Sequence, residues 1–158
     1  GVPFGPERAR LVRGQEVKLV DGRTIHPDQV LGAPRVGTKF VFIGDAARTD
    51  DLVEPTRDAD ALVIEATYTM LEADVAREFG HLTARQAAEL AATAGVRDLI
   101  LHHISRRYSE REILDEARSI FPETRVARDL DHYQIRRNTP LVKVESDRTT
   151  KESTKREA

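Results

Sequence analysis

Four short pieces of this 158-residue sequence carry groups able to do chemistry: Gly44-Asp45, Glu65-Ala66-Thr67, Gly80-His81 and His102-His103. An aspartate and a histidine at neighbouring strand ends, with a second histidine on a loop, make a half-site for a divalent metal. A carboxylate can bridge two zinc ions with its two oxygens, and neutral imidazoles complete each coordination sphere. Two ions about 3.5–4 Å apart can clamp an in-line displacement at phosphorus. The set is incomplete by itself. A catalytic zinc takes three protein ligands, and the chain has neither a His-x-His-x-Asp-His cluster nor a His-Glu-x-x-His run. The absence of cysteine excludes disulfides, thiolate zinc sites and a cysteine nucleophile. Any metal must be held by histidine and carboxylate.

Each of these residues also has a plain structural use. Asp45 could cap the segment after its strand. His102 and His103 are adjacent, so in a strand they face opposite sides and one at most reaches a given site. Glu65 at a strand end could anchor hydrogen bonds, and His81 after Gly80 fits a turn between helices. His26 and His132 have no carboxylate context and read as surface residues.

The elements that must position these groups follow from periodicity and punctuation. Residues 39–43, 61–65 and 98–102 read as strands. A short helix is expected before Pro55, and a longer one over 70–79, stopped by Gly80. Thr83 with Gln86, and Ser109 with Glu112, have the spacing of capping boxes. The first box opens a helix with Ala87, Ala88, Leu90, Ala91 and Ala94 on its apolar side, and the second one with Ile113, Leu114, Ala117 and Ile120. A hairpin is expected around Asp21-Gly22, and short closing strands at 124–127 and 132–135. Residues 1–6 read as an irregular arm, and 138–158 as a disordered polar tail. Alternating strands and helices imply an α/β layered architecture. Its chemistry gathers beyond the strand C-termini, where Gly44-Asp45, Glu65-Ala66-Thr67 and His102-His103 lie; Gly80-His81, just before a helix, could converge on the same rim.

Composition fits a domain of ordinary size: hydrophobic residues are 39% and charged residues 33%. No stretch approaches the roughly 20 apolar residues of a spanning helix, and no secretory leader is visible. A cytoplasmic protein without a membrane partner is expected. The net charge of −2 is uneven: residues 1–20 carry +2, residues 136–158 carry +3 and the body carries −7. A basic flank on an acidic body suits a polyanionic partner.

In order, Gly1-Val2-Pro3-Phe4-Gly5-Pro6, Asp21-Gly22-Arg23, Gly44-Asp45, Glu65-Ala66-Thr67, Gly80-His81-Leu82-Thr83-Ala84 and Leu101-His102-His103-Ile104-Ser105-Arg106-Arg107-Tyr108 resemble the C-terminal half of the ribonuclease Z family, the tRNA 3′-processing endonucleases of the metallo-β-lactamase superfamily. The resemblance covers about residues 1–130. It implies the C-terminal half of an αββα sandwich, with residues 1–20 as the end of a tRNA-binding arm and 21–137 as the half-domain. Asp45 matches the aspartate that bridges two zinc ions, and His103 a histidine that binds one of them. His81 and Glu65 match a pair that assists proton transfer to the leaving oxygen. Arg8, Arg10 and Arg13, after the Gly5-Pro6 pair, would face tRNA phosphates. Departures are Ala46, Ile64, Leu82 and His102, where the family has Thr, His, Ser and Thr.

The resemblance further implies precursor tRNA as substrate, zinc as cofactor (with manganese or another divalent ion as substitute), a homodimer, and a missing N-terminal half that carries the remaining metal ligands. Without that half, the inner sheet face, with residues such as Phe40, Phe42, Leu62, Ile64, Ile100 and His102 or their neighbours, would be left open, and the fragment alone is expected to be inactive. Two other readings remain: a relative acting on a small phosphodiester or sulfate ester, and a non-catalytic half that works only with a partner chain.

Overall fold

The computed structural model describes residue 2 and residues 4–144. They fall into two compact units, residues 1–36 and residues from 37 onward. In the first, Pro6 opens helix α1 (Pro6–Val12), where its missing N–H and fixed φ are harmless. Strands β1 (Val17–Lys18) and β2 (Thr24–Ile25) pair antiparallel, Val17 opposite Ile25. Gly22, at φ 87°, turns the hairpin, and the Asp21 carboxylate holds Arg23 at 2.7 Å. A 3₁₀ turn, Pro27–Gln29, follows. The hairpin spans the expected boundary at 20/21, and the compact unit that holds it runs to residue 36. The expected irregular arm also ends sooner, since α1 starts at Pro6.

The second unit is built on four parallel strands, β3 (Phe40–Phe42), β4 (Ala61–Glu65), β5 (Leu99–His102) and β6 (Thr124–Val126), adjacent in that order. Connecting them are α2 (Val53–Thr56), a 3₁₀ turn (Met70–Glu72), α3 (Ala73–Phe79), α4 (Ala84–Thr93) and α5 (Glu110–Arg118). The α/β reading holds. Both predicted capping boxes form, at Thr83/Gln86 and Ser109/Glu112, and Gly80 ends α3 at φ 72°. The short helix does not stop before Pro55 but contains it, since first-turn N–H groups have no intrahelical partner to lose. No helix among the described residues is long and apolar enough to cross a membrane.

Period-2 alternation decides what each sheet face meets. Leu62, Ile64, Leu99 and Leu101 pack under the small face of α4 (Ala84, Ala87, Ala88, Ala91) and under Ile113 and Ala117 of α5. Burying each of these leucines contributes about 1.5–3 kcal/mol. Ala61 and Ile100 point the other way, to Leu141, Val63, Tyr133 and Ile135. On that face Phe40 and Phe42 of the edge strand stay 51% and 63% exposed. Of the two alternatives left for β4, Leu62 and Ile64 face the helices, and their neighbours Ala61 and Val63 take the other face.

The chain ends its described part in an antiparallel hairpin, β7 (His132–Gln134) with β8 (Val142–Val144). This corrects the polar tail from 138. Leu141 is buried and its N–H donates to the Asp98 carboxylate at 3.3 Å; one apolar anchor in a four-residue alternation was too short a signal to read. Residues 145–158 lie outside the described residues.

Asp98 is buried and neutralised by Arg97 at 3.1 Å and Arg125 at 2.8 Å, and Arg97 reaches on to Asp60 at 2.6 Å. The Lys39 N–H, 2.8 Å from the Asp60 carboxylate, and the Arg97 cation hold Asp60 below the usual carboxylate range against the opposing effect of burial. A depressed folded value gives stability that is complete above the unfolded value of about 3.9 and is lost as pH falls through the folded one. Asp60→Asn should therefore be less stable than wild type at pH 7 and lose less stability on acidification from pH 5 to 2. Urea denaturation at stepped pH checks this; equal pH slopes would clear Asp60 of the effect.

Candidate active site

Parallel strands in register bring their C-terminal ends to one edge. Glu65, the last residue of β4, is paired with His102, the last of β5, and Asp45 lies three residues past β3. Backbone bonds then tie the loops together. Ala66 N–H donates to His102 O at 3.0 Å and Ser105 N–H to Thr67 O at 3.1 Å. Tyr68 N–H donates to Leu82 O at 3.2 Å, and Ala84 N–H to Tyr68 O at 2.9 Å, so the turn carrying His81 is laced to the loop after β4. Glu116 of α5 fastens that segment from behind, accepting Met70 N–H at 2.9 Å and Arg85 N–H at 2.9 Å.

Glu65 is fully buried. Its carboxylate accepts Ala46 N–H at 2.8 Å and the Thr67 hydroxyl at 2.5 Å, and His81 Nδ1 lies 3.1 and 3.2 Å from its two oxygens. A carboxylate oxygen only accepts, so His81 Nδ1 carries a hydrogen and Nε2 is the nitrogen left for other work. Next to this pair, His103 Nδ1 lies 3.2 Å from Asp45 Oδ1, and the His81 and His103 rings sit 5.2 Å apart. Ligand atoms of Asp45, His81 and His103 all fall within 4.8 Å of one another. One carboxylate and two imidazoles suit a borderline divalent ion. Asp45 and His103 are 62% and 48% exposed in their side chains, which leaves the group accessible from solvent. The residues present fit a divalent metal.

The structure thus brings together Asp45, Glu65, His81 and His103. It adds His81 to the metal-type group, whereas the sequence reading gave it proton transfer alone. His102 goes elsewhere: its Nε2 donates to Ile43 O at 2.9 Å and its ring stacks on Phe42 at 5.2 Å. The strand stops at His102, and His103 takes a left-handed φ of 54°, which swings its ring to the rim. Two family departures have local accounts. Ala46 contributes its backbone N–H to Glu65, and Leu82 is fully buried in the core.

Arg8, Arg10 and Arg13 lie in the first unit, on and just after α1, all exposed. At 100° per residue, Arg10 and Arg13 share a side of the helix and Arg8 points away from Arg10. Arg8 donates to Val2 O at 3.0 Å and lies 4.7 Å from the Phe4 ring centre. The sequence reading assigned no role to Thr67, whose hydroxyl touches Glu65, His81 and His103. Its position two residues after Glu65, which returns it to the same side of an extended chain, was the available signal. For Glu116 the sequence holds no comparable sign.

Comparison with known proteins agrees with the resemblance read from the motifs. The family described as "Beta-lactamase superfamily domain" matches residues 8–104. A ribonuclease Z of Bradyrhizobium sp. (strain ORS 278) is 52% identical over 134 residues, covering 85% of this chain and 44% of that protein. Ribonuclease Z of Archaeoglobus fulgidus is 46% identical over 137 residues, again 85% of this chain and 44% of the relative. That of Gemmatimonas aurantiaca is 46% identical over 131 residues, 82% and 42%. The chain spans less than half the length of these relatives. Among solved structures, the metallo-beta-lactamase fold protein YhfI from Bacillus subtilis superposes with a TM-score of 0.51 at 22% identity, over 54% of this chain and 36% of that one; at that identity the likeness concerns the fold.

Proposed function

The chain belongs to the beta-lactamase superfamily, and on that premise we propose that it supplies the C-terminal half of a zinc-dependent endoribonuclease that removes the 3′ trailer from precursor tRNA. The observation that carries this reading is the juxtaposition of a buried Glu65–His81 pair with Asp45 and His103 on one strand-end rim, in a chain 52% identical to a ribonuclease Z. Asp45 and His103 would hold metal, zinc in this reading or manganese in its place, which when bound supplies Lewis acidity at the phosphoryl oxygens. Hydrolysis puts the oxygen of water on phosphorus, breaks the P–O3′ bond and requires a proton at the departing O3′. Glu65, held by Ala46 and Thr67, fixes the His81 ring through Nδ1 and steadies its positive charge, so that Nε2 delivers that proton. The other half-domain, a homodimer and a cytoplasmic location belong to the same reading.

The test joins this chain behind the N-terminal half of the Bradyrhizobium ribonuclease Z and assays a precursor tRNA with its trailer in zinc or manganese. Release of the trailer is expected. A folded, metal-loaded joined protein that cleaves a chromogenic phosphodiester but no precursor tRNA would sink the tRNA reading in favour of a small ester, and one that cleaves neither would leave a binding role.

The basic flank has its own expected outcome. Changing Arg8, Arg10 and Arg13 together to Ala in the joined protein should raise KM for precursor tRNA. It should flatten the log–log salt dependence by about 0.7–0.9 units for each phosphate no longer neutralised. Turnover at saturating tRNA and hydrolysis of the small diester should hold. An unchanged salt slope would remove these arginines from tRNA binding.

A further inference from the structure

We propose that Thr67 is the positioning residue that selects which nitrogen His103 offers, fixing the neutral ring with its hydrogen on Nδ1 and its lone pair on Nε2. The proposal rests on the reading of His103 as a metal ligand, and it follows from counting one hydrogen. The Thr67 hydroxyl has a single hydrogen and four polar neighbours: a Glu65 carboxylate oxygen at 2.5 Å, the His103 carbonyl oxygen at 2.9 Å, His103 Nδ1 at 3.0 Å and, farther off, His81 Nδ1 at 3.4 Å, whose own hydrogen points to Glu65. The first two are acceptors only. The hydrogen is therefore committed to an oxygen, most strongly to the charged and shorter partner. Toward the ring nitrogen Thr67 has only a lone pair left to give, so Nδ1 must be the donor.

The other neighbour of that nitrogen points the same way. Asp45 Oδ1, 3.2 Å from Nδ1, also only accepts. Thr67 is 8% exposed while the Asp45 side chain is 62% exposed, so the threonine hydroxyl is the partner shielded from competing water. The arrangement is a relay of fixed direction: the buried Glu65 orients the Thr67 hydroxyl, and the hydroxyl orients His103. Partners of this kind on the remote nitrogen of a ligating imidazole set its tautomer and ring angle. The left-handed backbone at His103 belongs to the same device, because it brings residue 103's carbonyl and ring nitrogen to one hydroxyl.

The test reads the tautomer directly on this chain without metal. Histidine-¹⁵N-labelled protein is examined by long-range ¹H–¹⁵N correlation at about pH 8.5, well above the ordinary imidazole value of about 6.5. The signal absent from His103→Gln identifies residue 103 among the five histidines. Wild type should show a protonated, pyrrole-type Nδ1 and a pyridine-type Nε2. Thr67→Ser should keep that pattern, and Thr67→Val should lose it. Asp45→Ala, a change at an exposed side chain, should also keep it. A wild-type ring protonated on Nε2, or a folded Thr67→Val with the wild-type pattern, overturns the proposal. So does an Asp45→Ala protein that switches tautomer, a result that stands even if Thr67→Val does not fold. None of these results depends on whether the joined protein cleaves tRNA, so failure here and failure of the nuclease reading are separable.

Discussion

Replacing Asp45 with Ala is expected to lower trailer cleavage by the joined protein by more than about a thousandfold. Losing a single oxyanion-stabilising donor already costs on the order of a hundred- to a thousandfold in turnover, and Asp45 supplies the sole carboxylate of the group it forms with His81 and His103. A bridging role needs two anionic oxygens, and Ala offers none. The side chain is 62% exposed and its polar partner is His103, so the substitution should leave folding stability nearly unchanged. Activity, metal content and urea midpoint measured on the same preparation separate the outcomes. Turnover within a few-fold of wild type would take Asp45 out of the site.

His81→Ala should lower turnover by about a hundredfold or more, the range for loss of a positioned acid, with KM for precursor tRNA little changed. Its Nδ1 is spoken for by Glu65, which leaves Nε2 for a substrate atom, and its side chain is 19% exposed. Because His81 also falls in the metal-type group, metal content decides between two causes. Retained metal with lost turnover supports proton delivery; lost metal in His81→Ala makes His81 a ligand instead. A fall of less than about fivefold would leave neither role.

Most of the fold could be read from local rules. Leu99-Ile100-Leu101 and Ala61 to Ile64 are continuous apolar runs of strand length, as strands buried on both faces must be. Both helix starts declared themselves through Thr83/Gln86 and Ser109/Glu112. Failures came where tertiary packing overrules short patterns. Leu141 is anchored by Asp98, 43 residues earlier in the chain, and nothing near Leu141 announces it. A two-residue ladder, Val17 and Lys18 with Ile25 and Thr24, spans the expected 20/21 boundary, a pairing too short to read from pattern. At the candidate site, Asp45, Glu65, His81 and His103 were legible as strand-end and turn residues. Thr67 was passed over because a hydroxyl becomes informative only when its partners are known. One backbone dihedral that sequence does not display turns the His103 ring toward Asp45, while His102 bonds to Ile43.

That dihedral sets selection for durability against selection for chemistry. A β-carbon in the left-handed region costs on the order of 1 kcal/mol, which glycine does not pay. His103 holds φ 54° at the rim, half-exposed and outside both apolar clusters, so removing the ring leaves the core packing intact. A library screened for heat resistance alone should therefore enrich His103→Gly, with an expected rise of at most a few degrees in Tm, because the lost ring bonds to Thr67 and Asp45 offset part of the gain. Every such winner would have discarded the imidazole. On the proposed role of His103 as a metal ligand, ancestral or consensus redesign that leaves 103 free to vary would drift toward a sturdier and less active protein, whereas retention of histidine there under stability pressure would be a record of use. If His103→Gly melts no higher than wild type, the residue is not strained and that trade-off is absent.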